Sequence, residues 1–192
     1  RELRSALYRI LGFYPQNIEY YKIAFAHKSH AFRDKNGKPL NNERLEFLGD
    51  AVLESVISDI LFHHFEKRHE GFLTATRSKI VQRESLNRLA KEMGIDKLIQ
   101  TATRNTSPHS HLGGNAFEAL MGAIYLDKGY KTCQKFVQKQ ILGRLMDLDG
   151  VANKEVNFKS KLLEWCQKNK LKQDFIMRLE ENGKQQEPLF HC

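Results

Sequence analysis

The sequence predicts a mainly α-helical protein, on three observations. Apolar residues recur at three- and four-residue spacing through most of positions 1–148. Strand-type alternation is absent from that stretch. The breaks between periodic runs are short, polar and marked by Gly, Pro and Asn.

Taken in order, residues 1–11 and 18–26 read as two short helices separated by Gly12 and Pro15. Positions 34–39, with Asn36-Gly37 and Pro39, read as a turn. A long helix is expected over 42–64, and another over 74–92 through Ile80, Val81, Leu86, Leu89 and Met93. Residues 105–111 form a polar loop, 115–127 a strongly apolar helix, and 131–148 a further helix. The tail changes character. Positions 149–156 read as a linker, and Asn157 is placed to cap a helix. Residues 175–179 and 188–190 are expected as strands around a turn at 181–184. Residues 1–148 therefore form one domain, and 157–192 a helix and hairpin too short to build a stable core alone.

Composition narrows the function classes. In 192 residues, 41% are hydrophobic and 28% charged, as in a globular rather than a disordered chain. No apolar run approaches the ~20 residues of a membrane span, so no membrane partner is expected. The start, Arg1-Glu2-Leu3-Arg4, has no signal-peptide pattern. Cys133, Cys166 and Cys192 are few and scattered, which argues for a reducing, cytoplasmic setting without a disulfide framework or zinc ribbon. His63-His64 and His109-Ser110-His111 lack the further ligands of a zinc site and read as surface residues. Gly113-Gly114 is too short for a phosphate-binding loop, so no nucleotide cofactor is expected. The net charge of +8 suggests a polyanionic partner. Lys128, Lys131, Lys135, Lys139 and Arg144 follow one another without an intervening acid. Such a run fits a solvated helix face and a phosphate-tracking face equally well.

The most informative segment is Asn42-Glu43-Arg44-Leu45-Glu46-Phe47-Leu48-Gly49-Asp50-Ala51-Val52-Leu53. With Glu43 at zero on a helical wheel, Glu46 falls near about −60°, Asp50 near about −20° and Phe47 near about +40°. Leu45, Leu48 and Val52 lie opposite. Three carboxylates thus share a face with an aromatic ring, behind which runs an apolar stripe. Close carboxylates raise one another's pKa unless a cation sits among them, and hard oxygen ligands suit magnesium.

This segment resembles the signature of the ribonuclease III family, endonucleases that cut double-stranded RNA. The similarity extends to Ala26-His27-Lys28-Ser29, to residues 73–81, and to 115–127, which begins Asn115-Ala116-Phe117-Glu118. It implies an all-helical nuclease domain over 1–148, the 149–156 linker, and in 157–192 the opening part of an α-β-β-β-α double-stranded-RNA-binding domain. It also implies a metal site built from Glu46, Asp50, Asn115 and Glu118, with Asp50 and Glu118 leading the catalysis. Magnesium is the expected cofactor, with manganese as a substitute. Most members carry Asp where this chain has Asn115, so one unit of charge is missing and weaker metal binding is expected. Local sequence alone reads Asn115 as a helix N-cap in a capping box with Glu118.

The resemblance further implies RNA contacts from Glu43, Glu70, Glu164, Gln167 and Gln186. For Glu43 the competing reading is a charge complementing the helix dipole, and for Glu70 a solvated surface. Phe47 would pack into a second subunit of a two-fold homodimer, whose two acid clusters cut opposite strands. The implied activity is hydrolysis of double-stranded RNA to 5′-phosphate and 3′-hydroxyl ends with short 3′ overhangs, in ribosomal- and messenger-RNA processing. A catalytically weak or silent RNA-binding relative is the alternative, with Asn115 in its favour. A single signature in a short chain favours the small bacterial-type architecture over the larger eukaryotic processing enzymes.

Overall fold

A computed structural model of the chain describes residues 2–30, 32–33, 35–102 and 111–142. By its internal contacts the chain divides into residues 1–152 and 153–192, and every described residue lies in the first unit. The linker at 149–156 and the helix and hairpin expected over 157–192 lie outside the described residues.

Among the described residues seven α-helices follow one another: α1 (Glu2–Leu11), α2 (Ile18–Ala24), α3 (Glu43–His64), α4 (Glu70–Val81), α5 (Arg83–Glu92), α6 (Leu112–Lys128) and α7 (Tyr130–Val137). The mainly α prediction holds. At its centre α6 is buried almost all round, through Ala116, Phe117, Ala119, Leu120, Met121, Ala123 and Ile124. A helix apolar on every side belongs in a core. Against it lies α3, which turns Leu45, Val52, Leu53, Val56, Ile57, Ile60 and Leu61 inward. These two helices share the most extensive packing among the described residues, and α2, α5 and α7 complete the layer around α6.

Several boundaries differ from expectation. The predicted turn at 34–39 joins two short antiparallel strands, β1 (Phe32–Arg33) and β2 (Pro39–Leu40), with Phe32 opposite Leu40. Strands of two residues are too short to show alternation. Arg33 closes the hairpin by donating from Nη1 to the Gly37 carbonyl at 2.8 Å.

The helix expected over 74–92 is two. It starts four residues early, at Glu70, and breaks at Gln82, whose ψ of 147° is extended. Ser85 Oγ donates to the Lys79 carbonyl at 3.1 Å, supplying a partner at the break. Apolar spacing carries across this corner, which is why periodicity alone misses it.

The last described helix ends its α-geometry at Val137 and continues as a π-helical turn over Gln138–Leu142. The remainder of the predicted 131–148 helix lies outside the described residues. Gly129, at φ +77°, lets α6 turn into α7 where a side chain would be strained. At the same corner the Asp127 carboxylate accepts from the backbone N–H groups of Gln16 (3.0 Å) and Asn17 (2.7 Å) and from the Tyr21 hydroxyl (3.0 Å). It thereby ties the start of α2 to the end of α6. Burial and the Asp127 charge push the Tyr21 hydroxyl pKa up, keeping it a donor.

Candidate active site

The acids of α3 and α6 come near one another because the two helices cross at Gly49 and Gly122, where neither carries a side chain. A Cβ built on Gly49 would lie 1.7 Å from the Glu118 carbonyl oxygen. Gly49 sits between Glu46 and Asp50, so this crossing puts the acid face of α3 beside the Glu118 turn of α6.

The start of α6 is fixed from α5. Asn87 Oδ1 accepts from the Gly114 N–H at 2.7 Å, capping the helix from outside its own sequence. Gly113 and Gly114 leave room for it, since a Cβ on either would come within 3.2–3.3 Å of that oxygen. The start of α3 is held by the segment before it: the Asn42 N–H donates to the Ala26 carbonyl at 2.9 Å. Ala26 in turn pairs with Gln100.

Electrostatics follow from the crossing. Glu118 is half-buried, and its pKa is pushed up to about 7 by burial first, then by the negative charges of Asp50 and Glu46. Arg83 pulls it back, while Glu54 adds to the rise. Burial and Glu43 raise Glu46 as well, opposed by Arg83, by a hydrogen bond from the Asn115 side chain and by Lys28. Three acids thus converge electrostatically, with Arg83 the cation felt by both Glu46 and Glu118. Asp50 itself is exposed.

The capping-box reading of Asn115 is overturned. The helix begins at Leu112 with His111 at its N-cap, and the Asn115 N–H donates within the helix to the His111 carbonyl at 3.1 Å. Read locally, Gly113-Gly114 looks like a break, but Asn87 lets the helix run through it. The freed Asn115 side chain lies toward α3, where it lowers the Glu46 pKa.

The donors present, carboxylates of Glu46, Asp50 and Glu118 with an amide at 115, are the hard oxygens that suit magnesium. The raised pKa values of Glu46 and Glu118 mark a cluster short of positive charge. No closed group of three or more Asp, Glu, His or Cys side chains exists among the described residues. The chemistry of the donor set fits the ion, while the side chains are not drawn together as finished ligands. The histidines offer nothing more: His63 and His64 are exposed, and His63 Nδ1 lies 2.8 Å from the Asp59 carbonyl of its own helix.

Of the other residues selected from the sequence, Glu43 is the one whose charge acts on the cluster, raising Glu46. Glu43 accepts from Asn41 Nδ2 at 3.1 Å and faces Lys28 Nζ at 3.7 Å. Glu70, at the start of α4, accepts from the Thr74 hydroxyl at 2.8 Å. Phe47 is 83% exposed, more than any other large hydrophobic among the described residues. Glu164, Gln167 and Gln186 lie outside the described residues. Sequence reading missed Arg83, Asn87 and Glu54. Glu54 has a signal, lying four residues beyond Asp50 on the same helical face. Arg83 and Asn87 have none, because the α4–α5 corner brings them in.

Against this geometry, the family model described as ribonuclease-III-like matches residues 17–145. The chain belongs to that family. Curated relatives called Ribonuclease 3 include one from Bacteroides fragilis, 56% identical over 99% of this chain and 66% of its own length. One from Bacteroides thetaiotaomicron is 59% identical over 91% of this chain and 56% of its own. The chain thus spans about two thirds or less of these relatives. Among solved structures, the nuclease domain of a ribonuclease III from Campylobacter jejuni superposes with a TM-score of 0.64 at 30% identity. That match covers 73% of this chain and 96% of the other, whose description refers to a region involved in dimer formation.

Proposed function

We propose that the chain is a divalent-metal-dependent endoribonuclease that cleaves double-stranded RNA. The observation that carries this reading is the crossing of α3 and α6, which gathers Glu46, Asp50 and Glu118 until Glu118 resists ionisation up to about pH 7. Glu46, Asp50 and Glu118, with the Asn115 amide oxygen, would hold a magnesium ion, or manganese in its place. That ion supplies the Lewis acid that lowers the pKa of attacking water and offsets charge on the scissile phosphate.

The residues of the chain do the rest. Asp50 and Glu118 would hold the ion and orient the incoming water, and Glu46 would complete the ligand set. Arg83, already within reach of two of these acids, keeps the cluster from repelling the RNA backbone. Glu43 and Glu70 line the approach, and Glu164, Gln167 and Gln186 read the minor groove, where A-form RNA is recognised by shape. In-line displacement leaves a 5′-phosphate and a 3′-hydroxyl.

Phe47 supports assembly as a homodimer, because so exposed a ring on an acid-bearing helix is apolar surface without a partner. Two such sites across a two-fold axis would cut both strands and leave short 3′ overhangs. Residues 1–148 would be the nuclease domain and 157–192 part of a double-stranded-RNA-binding domain. Ribosomal and messenger precursors in the cytoplasm are the expected targets.

A weak or silent RNA-binding subunit is favoured by one observation, a neutral amide at Asn115 beside the acids, where it lowers the Glu46 pKa. A long RNA duplex incubated with magnesium, then manganese, decides between them. Cleavage that Asp50→Asn or Glu118→Gln reduces by about 100-fold or more supports the enzyme. Full activity in either variant sinks the mechanism, and an inert wild type favours the silent subunit.

A further inference from the structure

A second surface, away from the acid cluster, has the chemistry of a single-stranded RNA platform. Lys131 and Lys135 are four residues apart on α7, which puts them on one face and about 6 Å apart along the helix, and Lys139 follows in the π-helical turn beyond it. All three are exposed, and none forms an ion pair among the described residues. The opposite face, Cys133, Phe136 and Val137, is buried.

This lysine row ends at the loop that joins α1 to α2. Lys139 Nζ lies 3.5 Å from where a Cβ on Gly12 would stand. Gln140 Nε2 donates to the Ile10 carbonyl at 3.1 Å, holding the last turn of α1 just before that loop. Lys128 reaches its other end: with the Gln16 amide oriented to satisfy both neighbours, its oxygen accepts from Lys128 Nζ at 3.1 Å. On this loop Tyr14 stacks on Tyr8, with centroids 4.5 Å apart and planes at 23°. Both rings are open to solvent, at 60% and 45% exposure.

We propose that this face binds unpaired nucleotides of an RNA: the lysines follow the backbone, and a base stacks on the outer side of the tyrosine pair. Cations beside an open aromatic ring are the elements that hold a single strand without sequence preference. A duplex interior, whose bases are already stacked on one another, would gain nothing from the rings. The lysines are complementary in charge to RNA, and the two acids that border them are engaged within the fold, Asp127 by Gln16, Asn17 and Tyr21 and Asp59 by Gln134. The inference rests on RNA being the substrate, and it extends recognition to single-stranded flanks of a duplex.

Binding of a labelled single-stranded RNA and of a blunt duplex, measured without divalent metal so that nothing is cut, tests it. Tyr14→Ala should weaken single-strand binding about tenfold, the size of one stacking contact, while Tyr14→Phe and duplex binding stay at wild-type level. Replacing Lys131 and Lys135 with Ala should lower the slope of log affinity against log salt by about 1.4, at about 0.7 per phosphate on a single strand. Unchanged single-strand affinity in Tyr14→Ala overturns the platform. So does an equal loss on the duplex, which would make the face a general polyanion surface. Because cleavage is not the readout, an inert acid cluster would refute the proposed enzyme without touching this result.

Discussion

Gly49 and Gly122 face each other where α3 crosses α6: a Cβ on Gly122 would stand 3.3 Å from the Gly49 nitrogen and 2.4 Å from the Leu45 carbonyl oxygen. The neighbours are backbone atoms, which cannot swing aside as a side chain would. Gly49→Ala and Gly122→Ala should each force the helices apart and destabilise the fold by about 3 kcal/mol or more. Thermal unfolding reads that loss. If either variant folds, its cleavage of duplex RNA should fall more steeply than stability alone explains, because the acids separate with the helices. A variant with wild-type melting temperature would show that the crossing is looser than this geometry.

The Glu118 carboxyl makes stability depend on pH. Its ordinary value is 4.5, and in the fold it is pushed up to about 7. Between those values the folded chain holds a proton that the unfolded chain has released. Its contribution is therefore full below pH 4.5 and lost as pH rises through about 7. In a chelator, the urea midpoint of wild type should fall over this window, and Glu118→Gln should flatten the fall. Magnesium added at about pH 8 should restore the wild-type midpoint, since an ion bound only by the folded state stabilises it. Identical pH profiles for the two proteins would remove Glu118 as the titrating group.

How far the site could be read in advance differed between the two helices. On α3 the acid face repeats with the helical period, so Glu46, Asp50 and the outward Phe47 follow from spacing alone. On α6 the period was visible, but its start was not. Two glycines in a row signal a break, and only Asn87, from another helix, satisfies the backbone there. That error made Asn115 look like a cap. The corner at Gln82 was hidden because apolar spacing runs through it, and Arg83 owes its place beside the acids to that corner. Local patterns encode faces; the charges that balance them arrive by tertiary packing.

Asn115 separates metal affinity from metal-free stability. Its side chain lowers the Glu46 pKa against the rise from burial. Asn115→Asp would replace that amide with a further negative charge. Without metal the variant should be less stable than wild type near neutral pH. With metal it should reach half-maximal cleavage at about tenfold lower magnesium, or roughly 1.4 kcal/mol tighter. Calorimetry and a magnesium titration of cleavage read the two effects. A variant that is both more stable without metal and no tighter with it would place Asn115 outside the ligand set.

Phe47 gives the assembly a single-residue test. At 83% exposure its ring contributes almost nothing to packing within the chain, so Phe47→Ala should leave thermal stability of the isolated protomer close to wild type. A ring that fills a pocket in a partner is worth about 2 kcal/mol or more, so dimer dissociation should become about 30-fold easier. Sedimentation velocity across a concentration series measures that shift, and cleavage followed at the same concentrations should decline with the dimer. The pairing matters for products: a monomer carries one acid cluster and would nick one strand, whereas the proposed two-fold dimer would cut both. A wild-type chain that sediments as a monomer at micromolar concentration and still releases doubly cut fragments would rule out this assembly.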